Sequence, residues 1–181
     1  MKGIRLLIVQ PYIPNYRLAF FDGLRARLDS LGIDLVIAAG TPPEHQAARG
    51  DALKKLGNTI YLEENDFQLF GKPLRRKTIT PLLMSFRPTH IIVEQALHNI
   101  DTYEIALWAL KARASIAAWG HGRTYTERTS RAQETLKTWL TRQTSWMFVY
   151  SDGGYTHLVK HGYPGSRITV LNNSTDTASL R

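Results

Sequence analysis

Gly120-His121-Gly122-Arg123 places an imidazole between two glycines, directly after the apolar run Ser115–Trp119. Glycine on both sides lets the backbone turn sharply and lets another group approach closely. A histidine so placed could be a reacting group, a ligand contact or only a polar loop residue. Glu94 ends the apolar run HIIVE, where a carboxylate needs a partner or solvent. Asn15 stands where it could cap a helix, contact an anion at the helix N-terminus, or do both. Arg17, two residues on, sits at the wrong end of that helix for its macrodipole, which leaves a ligand, a carboxylate or plain solvation to account for it. Ser151 reads as a helix N-cap rather than a nucleophile, because no Gly-x-Ser-x-Gly elbow surrounds it.

Short β-type runs must position these residues. They fall at Ile4–Val9, Leu35–Ala39, Thr59–Leu62, His90–Glu94, Ser115–Trp119, Met147–Tyr150 and Ile168–Leu171. Stretches with helical spacing lie between them. Leu18, Phe21, Leu24 and Leu28 form one apolar stripe, and Ile105, Trp108, Ala109 and Ala112 form another. Asp101 with Glu104, and Ser130 with Gln133, read as capping-box starts. A last helix opens after Ser151 and closes at His161-Gly162, with Pro164 beyond it, and 41–58 is a weaker helical stretch. Strands alternating with helices predict an α/β fold: a doubly wound, mostly parallel sheet of about seven strands with helices on both faces. Runs such as RLLIV are apolar nearly throughout, as doubly covered strands should be. In such a sheet ligands bind beyond the carboxyl ends of the strands. The segments just past those ends are 10–17, then Glu94, Gln95 and His98, then 120–123, then 151–154. Small and hydrogen-bonding residues collect there.

The bulk numbers set the frame. At 181 residues the chain is most simply one domain, and 43% hydrophobic residues suffice for a core. The formal net charge of +8 asks for an acidic partner: a phosphate-bearing ligand, an anionic membrane surface or a nucleic acid. The absence of cysteine excludes disulfides and thiolate metal sites. The run Ile4–Val9 is too short to span a membrane. A cytoplasmic protein is expected. No phosphate-binding P-loop is present, and no Gly-x-Gly-x-x-Gly follows the first strand. The six histidines do not cluster at ligand spacing, so no metal site is expected. Nucleic acid is not expected as a partner, for no helix-turn-helix, RNP-type or zinc signature accompanies the charge.

Three stretches carry a likeness to a known family. They are LLIVQPYIPNYRLAFFDGLRARL at the start, AAWGHGRTY in the middle, and MFVYSDGGYTHLVKHGYPGSRITVLNNSTDT at the end. Together they resemble the N-terminal, acceptor-side domain of GT-B-fold retaining glycosyltransferases of family 4 (group 1). The tail is the most specific of the three. The resemblance makes 1–171 a Rossmann-like acceptor-side domain and 172–181 the start of an interdomain linker, with the donor-binding domain outside this chain. Two departures stand out. Pro14-Asn15 replaces the glycine pair often found in the first loop, and Asn173-Ser174-Thr175-Asp176 replaces Asn-Gly-Val-Asp.

The resemblance implies sugar transfer from a nucleotide-sugar donor to a glycan or lipid-linked acceptor, with retention, no cofactor and no metal. His121 would act catalytically by holding the transferred sugar and stabilising charge on the leaving pyrophosphate. Pro14, Asn15, Gly120 and Gly122 would lie against donor phosphate or sugar. Tyr12, Arg17, Glu94 and Arg123 would line the acceptor side. Lys72, Arg75, Arg76 and Lys77, in a loop-like stretch beside Leu82, Leu83, Met84 and Phe86, suit an anionic membrane interface. A solvated basic face over ordinary core residues explains them equally. The chain alone should not turn over. A non-catalytic domain that uses the same cleft for a phosphate-bearing ligand or a protein partner is the alternative.

Overall fold

The apolar runs assemble into one seven-stranded parallel sheet. In this computed structural model, residues 3–42, 56–69, 72–94, 99–122 and 139–172 are described. The strands of the sheet are β1 (Arg5–Gln10), β2 (Asp34–Ala39), β3 (Thr59–Tyr61), β6 (His90–Glu94), β7 (Ser115–Gly120), β8 (Trp146–Val149) and β9 (Ile168–Val170). A separate antiparallel pair, β4 (Glu64–Leu69) and β5 (Lys72–Lys77), lies between β3 and β6 in the chain. The sheet order is β3-β2-β1-β6-β7-β8-β9. The chain therefore winds outward from β1 in one direction, returns to β6 beside β1, and winds outward in the other. The topology switches between β1 and β6.

Helices cover both faces. Helix α1 (Leu18–Asp29) buries Phe21 against Ile8, Ile37 and Trp119. On the other face α2 (Thr80–Phe86) and α3 (Ile100–Ala112) bring Leu83, Ile105 and Ala109 onto Leu7, Val9, Ile91 and Val93. Helix α4 (Asp152–Lys160) adds Leu158 against Met147 and Val149. Phe21, Leu7 and Ile105 are all 0% exposed. Removing each such side chain from water contributes roughly 1.5–3 kcal/mol. The expected seven strands are all present, each within one residue of its expected bounds.

The hairpin and α2 are the differences. The stretch 72–77 is a strand, not a loop, and Arg75, Arg76 and Lys77 are neutralised within the fold. Lys77 is 1% exposed, with its Nζ 3.4 Å from Asp101 Oδ2 and 3.8 Å from Glu64 Oε1. Arg75 grips Asp66 through Nε at 2.9 Å, and Arg76 reaches Glu104 at 2.6 Å. Lys77 thus cannot face a membrane, and Arg75 and Arg76 are committed to carboxylates. Leu83, read beside them as an interfacial residue, is core. The same pairs overturn the capping box at Asp101. Asn99 is the N-cap of α3, Asp101 is buried on Lys77, and Glu104 serves Arg76. The helix expected after Ser130, the bulk of the 41–58 stretch and the linker from 173 onward lie outside the described residues.

Ion pairs so far from water are stable only while every member is matched. Lys77→Ala leaves the buried Asp101 without its cation and takes one of two from Glu64, which keeps Arg75. It is expected to lower stability by about 3–5 kcal/mol, measured by urea denaturation.

Candidate functional site

Side chains alternate across a strand, so residues at matching levels form rows on one face. Val9 pairs with Val93, so Gln10 and Glu94 follow side by side at the ends of β1 and β6. Glu94 pairs with Trp119 on β7, which pairs with Phe148 on β8. Gln10, Glu94 and Trp119 therefore make one row at the carboxyl edge, on the α1 face, across the topological switch.

Arg17 descends onto this row. A single 3-10 turn, Asn15–Arg17, precedes α1, closed by the Arg17 N–H donating to the Pro14 carbonyl at 2.9 Å. The guanidinium donates to Gln10 Oε1 at 2.9 Å and to the Tyr150 hydroxyl at 2.7 Å. Its central carbon lies 5.1 Å from the Trp119 ring centre and 5.4 Å from that of Tyr150. Such cation–π contacts add about 0.5–1 kcal/mol each. Burial works against the Arg17 charge, but Tyr150, Tyr16 and Glu94 together raise its proton affinity above the ordinary guanidinium value. The site therefore favours the charge that Arg17 carries in any case.

The donor fixes the amide. With Arg17 on its oxygen, Gln10 must turn Nε2 away from the guanidinium. That Nε2 and the Trp119 Nε1, both buried, have no hydrogen-bond partner among the described residues. An unsatisfied buried donor costs about 1–3 kcal/mol. Beside them, burial raises the Glu94 carboxyl above its ordinary 4.5, while Arg17 and Lys77 pull it back down. Burial likewise raises the Tyr150 phenol, partly offset by Arg17.

His121 follows β7 and is exposed, with its ring centre 4.7 Å from that of Tyr150. The glycine after it answers to packing. Gly122 has φ +70°, and a Cβ there would come within 3.0 Å of the Gly154 carbonyl oxygen. A Cβ on Gly154 would meet the His121 carbonyl oxygen at 2.6 Å. The loop after β7 therefore crosses the first turn of α4 almost backbone to backbone.

Of the residues singled out in the sequence, Arg17, Glu94 and His121 gather at this edge. Gly120 and Gly122 are buried under the same loop. Tyr12, Pro14 and Asn15 form the segment leading into the Arg17 turn. Pro14 is buried and is the turn's N-cap, with no side-chain capping bond, so Asn15 is not the cap. Ser151 is the N-cap of α4, and it too makes no side-chain capping bond. Arg123, Gln95 and His98 lie outside the described residues. Gln10, Trp119 and Tyr150 are the site residues that the sequence reading passed over. Their signal is positional: each lies within one residue of a strand's carboxyl end, on the face that α1 covers.

No protein-family model matches the sequence, and no curated protein matches it in sequence comparison. Solved structures do match in fold. UDP-GlcNAc 2-epimerase from Neisseria meningitidis bound to UDP-GlcNAc is 15% identical, with a TM-score of 0.60 over 92% of this chain and 46% of that one. The Methanocaldococcus jannaschii UDP-GlcNAc 2-epimerase is 16% identical, with a TM-score of 0.56 over 93% and 45%. HepE from Anabaena, in complex with UDP and glucose, is 12% identical, with a TM-score of 0.55 over 95% and 45%. The chain spans a little under half the length of these structures. At such identities the likeness establishes a shared GT-B-like fold and nothing more.

Two outcomes follow from the geometry. A raised folded-state pKa means that the native state binds the Glu94 proton more tightly than the unfolded chain does. Its contribution therefore weakens stability as pH rises from the ordinary value of 4.5 through the raised one. Glu94→Gln removes that dependence, so its stability relative to wild type should climb across this window in denaturation curves taken at several pH values. Gly154→Ala drives a methyl into the His121 backbone and should cost about 1–3 kcal/mol in the same assay.

Proposed function

We propose that this chain is the acceptor-side half of a GT-B-like enzyme that transfers a sugar, with retention, from a nucleotide-sugar to a glycan or lipid-linked acceptor. The observation that carries the reading is the row at the switch point. Two buried N–H donors, on Gln10 and Trp119, stand open beside a carboxyl and a guanidinium. Because Arg17 and Glu94 largely balance in charge, this edge suits a neutral, oxygen-rich ligand such as a sugar. Hydroxyl oxygens would accept from Gln10 and Trp119, a hydroxyl hydrogen would go to Glu94, and the aromatic faces would cover the C–H face of the ring. The likeness of the first loop, the histidine loop and the tail to family 4 supports transfer as the reaction.

In this reading His121 hydrogen-bonds the transferred sugar and steadies charge on the leaving group, acting in the cytoplasm. Pro14, Asn15, Gly120 and Gly122 shape the backbone against donor phosphate. Tyr12, Arg17, Glu94 and Arg123 face the acceptor. The nucleotide is held chiefly by the other half. Front-side attack with retention requires no base from this chain. A second reading, epimerisation of the nucleotide-sugar, is favoured by the names of the matching structures, two of them UDP-GlcNAc 2-epimerases.

A nucleotide-sugar screen on the protein carrying both halves separates the two. Transfer predicts nucleotide release that depends on acceptor, whereas epimerisation predicts conversion of the donor with no acceptor added. His121→Ala should lower turnover about 10²–10³-fold. Undiminished turnover in that variant would remove the role assigned to the histidine.

A further inference from the structure

The amino end of the same sheet holds a second concentration of unusual residues. A groove of about 450 Å³ opens there, lined by Arg5, Arg87 and Arg113 with Met84, Trp108 and Thr89. This volume is that of a small-molecule site. Arg5 donates through Nε and Nη2 to the Arg87 carbonyl at 2.8 and 2.6 Å, which sets its guanidinium in the groove. Among the described residues no carboxylate lines the groove, and none of the three arginines is in an ion pair. Two helices, α2 and α3, end here. Each C-terminus contributes roughly half a negative charge, against three full positive ones, so the groove stays cationic.

The backbone supplies an independent observation. Arg87 has φ 50° and Arg113 φ 55°, and they are the C-caps of α2 and α3. That left-handed conformation is where glycine ends helices without strain. Both helices instead spend it on arginine, and both arginines line one groove. Met84, 66% exposed, and Trp108 give the groove an apolar wall. Three guanidiniums that make no ion pair among the described residues match the oxygens of a phosphate, and the wall matches an apolar group attached to it.

We propose that this groove binds a phosphate-bearing ligand with an apolar body, through Arg5, Arg87 and Arg113 on the phosphate and Trp108 and Met84 on the apolar part. The site lies at the edge opposite Glu94 and His121 and is independent of the reading given for them. The phosphate belongs either to a soluble compound or to a lipid headgroup.

The test titrates the whole chain with phenyl phosphate, inorganic phosphate, and vesicles with or without phosphatidylglycerol. Trp108→Phe assigns the fluorescence change to this groove. Phenyl phosphate should bind saturably, about tenfold more tightly than inorganic phosphate. Arg87→Gly and Arg113→Gly should each weaken binding about tenfold or more, while leaving Tm unchanged or raising it by about 2–4 °C as the left-handed strain is relieved. Binding only to anionic vesicles, lost in both glycine variants, supports the site and identifies a lipid headgroup as its source. Saturable binding by no probe, binding undiminished in both glycine variants, or a fall in Tm in both would overturn the proposal.

Discussion

A guanidinium drawn partly out of water must find acceptors in fixed positions, and Arg17 finds them on two distant strands. Gln10 ends β1, and Tyr150, 133 residues beyond Arg17, follows β8. The two bonds join the entry of α1 to opposite sides of the central strands. Much of the carboxyl edge follows from this one anchoring. It decides which end of the Gln10 amide is left open, holds the Tyr150 ring against which His121 rests, and places a positive charge above Trp119 and near Glu94. Removing the cation would leave the aromatic rings packed but the polar atoms without a common orientation.

The other face is secured by a different solution to the same problem. Hairpin β4–β5 brings Glu64, Asp66, Arg75, Arg76 and Lys77 against Asp101 and Glu104, and Thr41 adds two bonds to Glu64, at 3.0 Å from its N–H and 2.8 Å from its hydroxyl. Arg75 also bridges to Asn99 at the start of α3. Desolvating these charges is costly, and their mutual attraction roughly offsets the cost, so the network's contribution is specificity of placement more than stability. It also reaches the site. Lys77 is near enough to Glu94 to act on its ionisation, so the carboxyl lies between two cations supplied from opposite faces of the sheet.

These anchors explain what could and could not be read from the sequence. The seven sheet strands were readable because each is covered on both faces and so runs apolar almost without interruption. The hairpin was not, because its inward residues are Glu64 and Lys77, whose burial is made possible by partners far off in the chain. No alternation of apolar and polar residues marks it. Helix α2 was hidden for a related reason: in TPLLMSF the core residue Leu83 stands next to the exposed Met84, so composition alone does not say which faces in. At the site, chemically assertive residues such as His121, Glu94 and Arg17 drew attention by type. Gln10, Trp119 and Tyr150 did not, since their part depends on the register between strands, which only the paired sheet supplies.

The placement of charge carries the same logic one step further. A formal net charge of +8 suggests a cationic binding site, and the obvious place to seek it is the ligand edge of the sheet. There, however, Arg17 and Lys77 each have a carboxyl within electrostatic reach, and the buried donors left open among the described residues are the neutral N–H groups of Gln10 and Trp119. Along the hairpin, Arg75 and Arg76 are matched by Asp66, Glu64 and Glu104. At the amino edge, Arg5, Arg87 and Arg113 line a groove whose described lining holds no carboxylate. A balanced site beside an unbalanced one is the pattern expected when a neutral ligand and an anionic one are kept at opposite ends of one sheet. The strain accepted at Arg87 and Arg113 locates the unbalanced charge where the backbone would otherwise favour glycine.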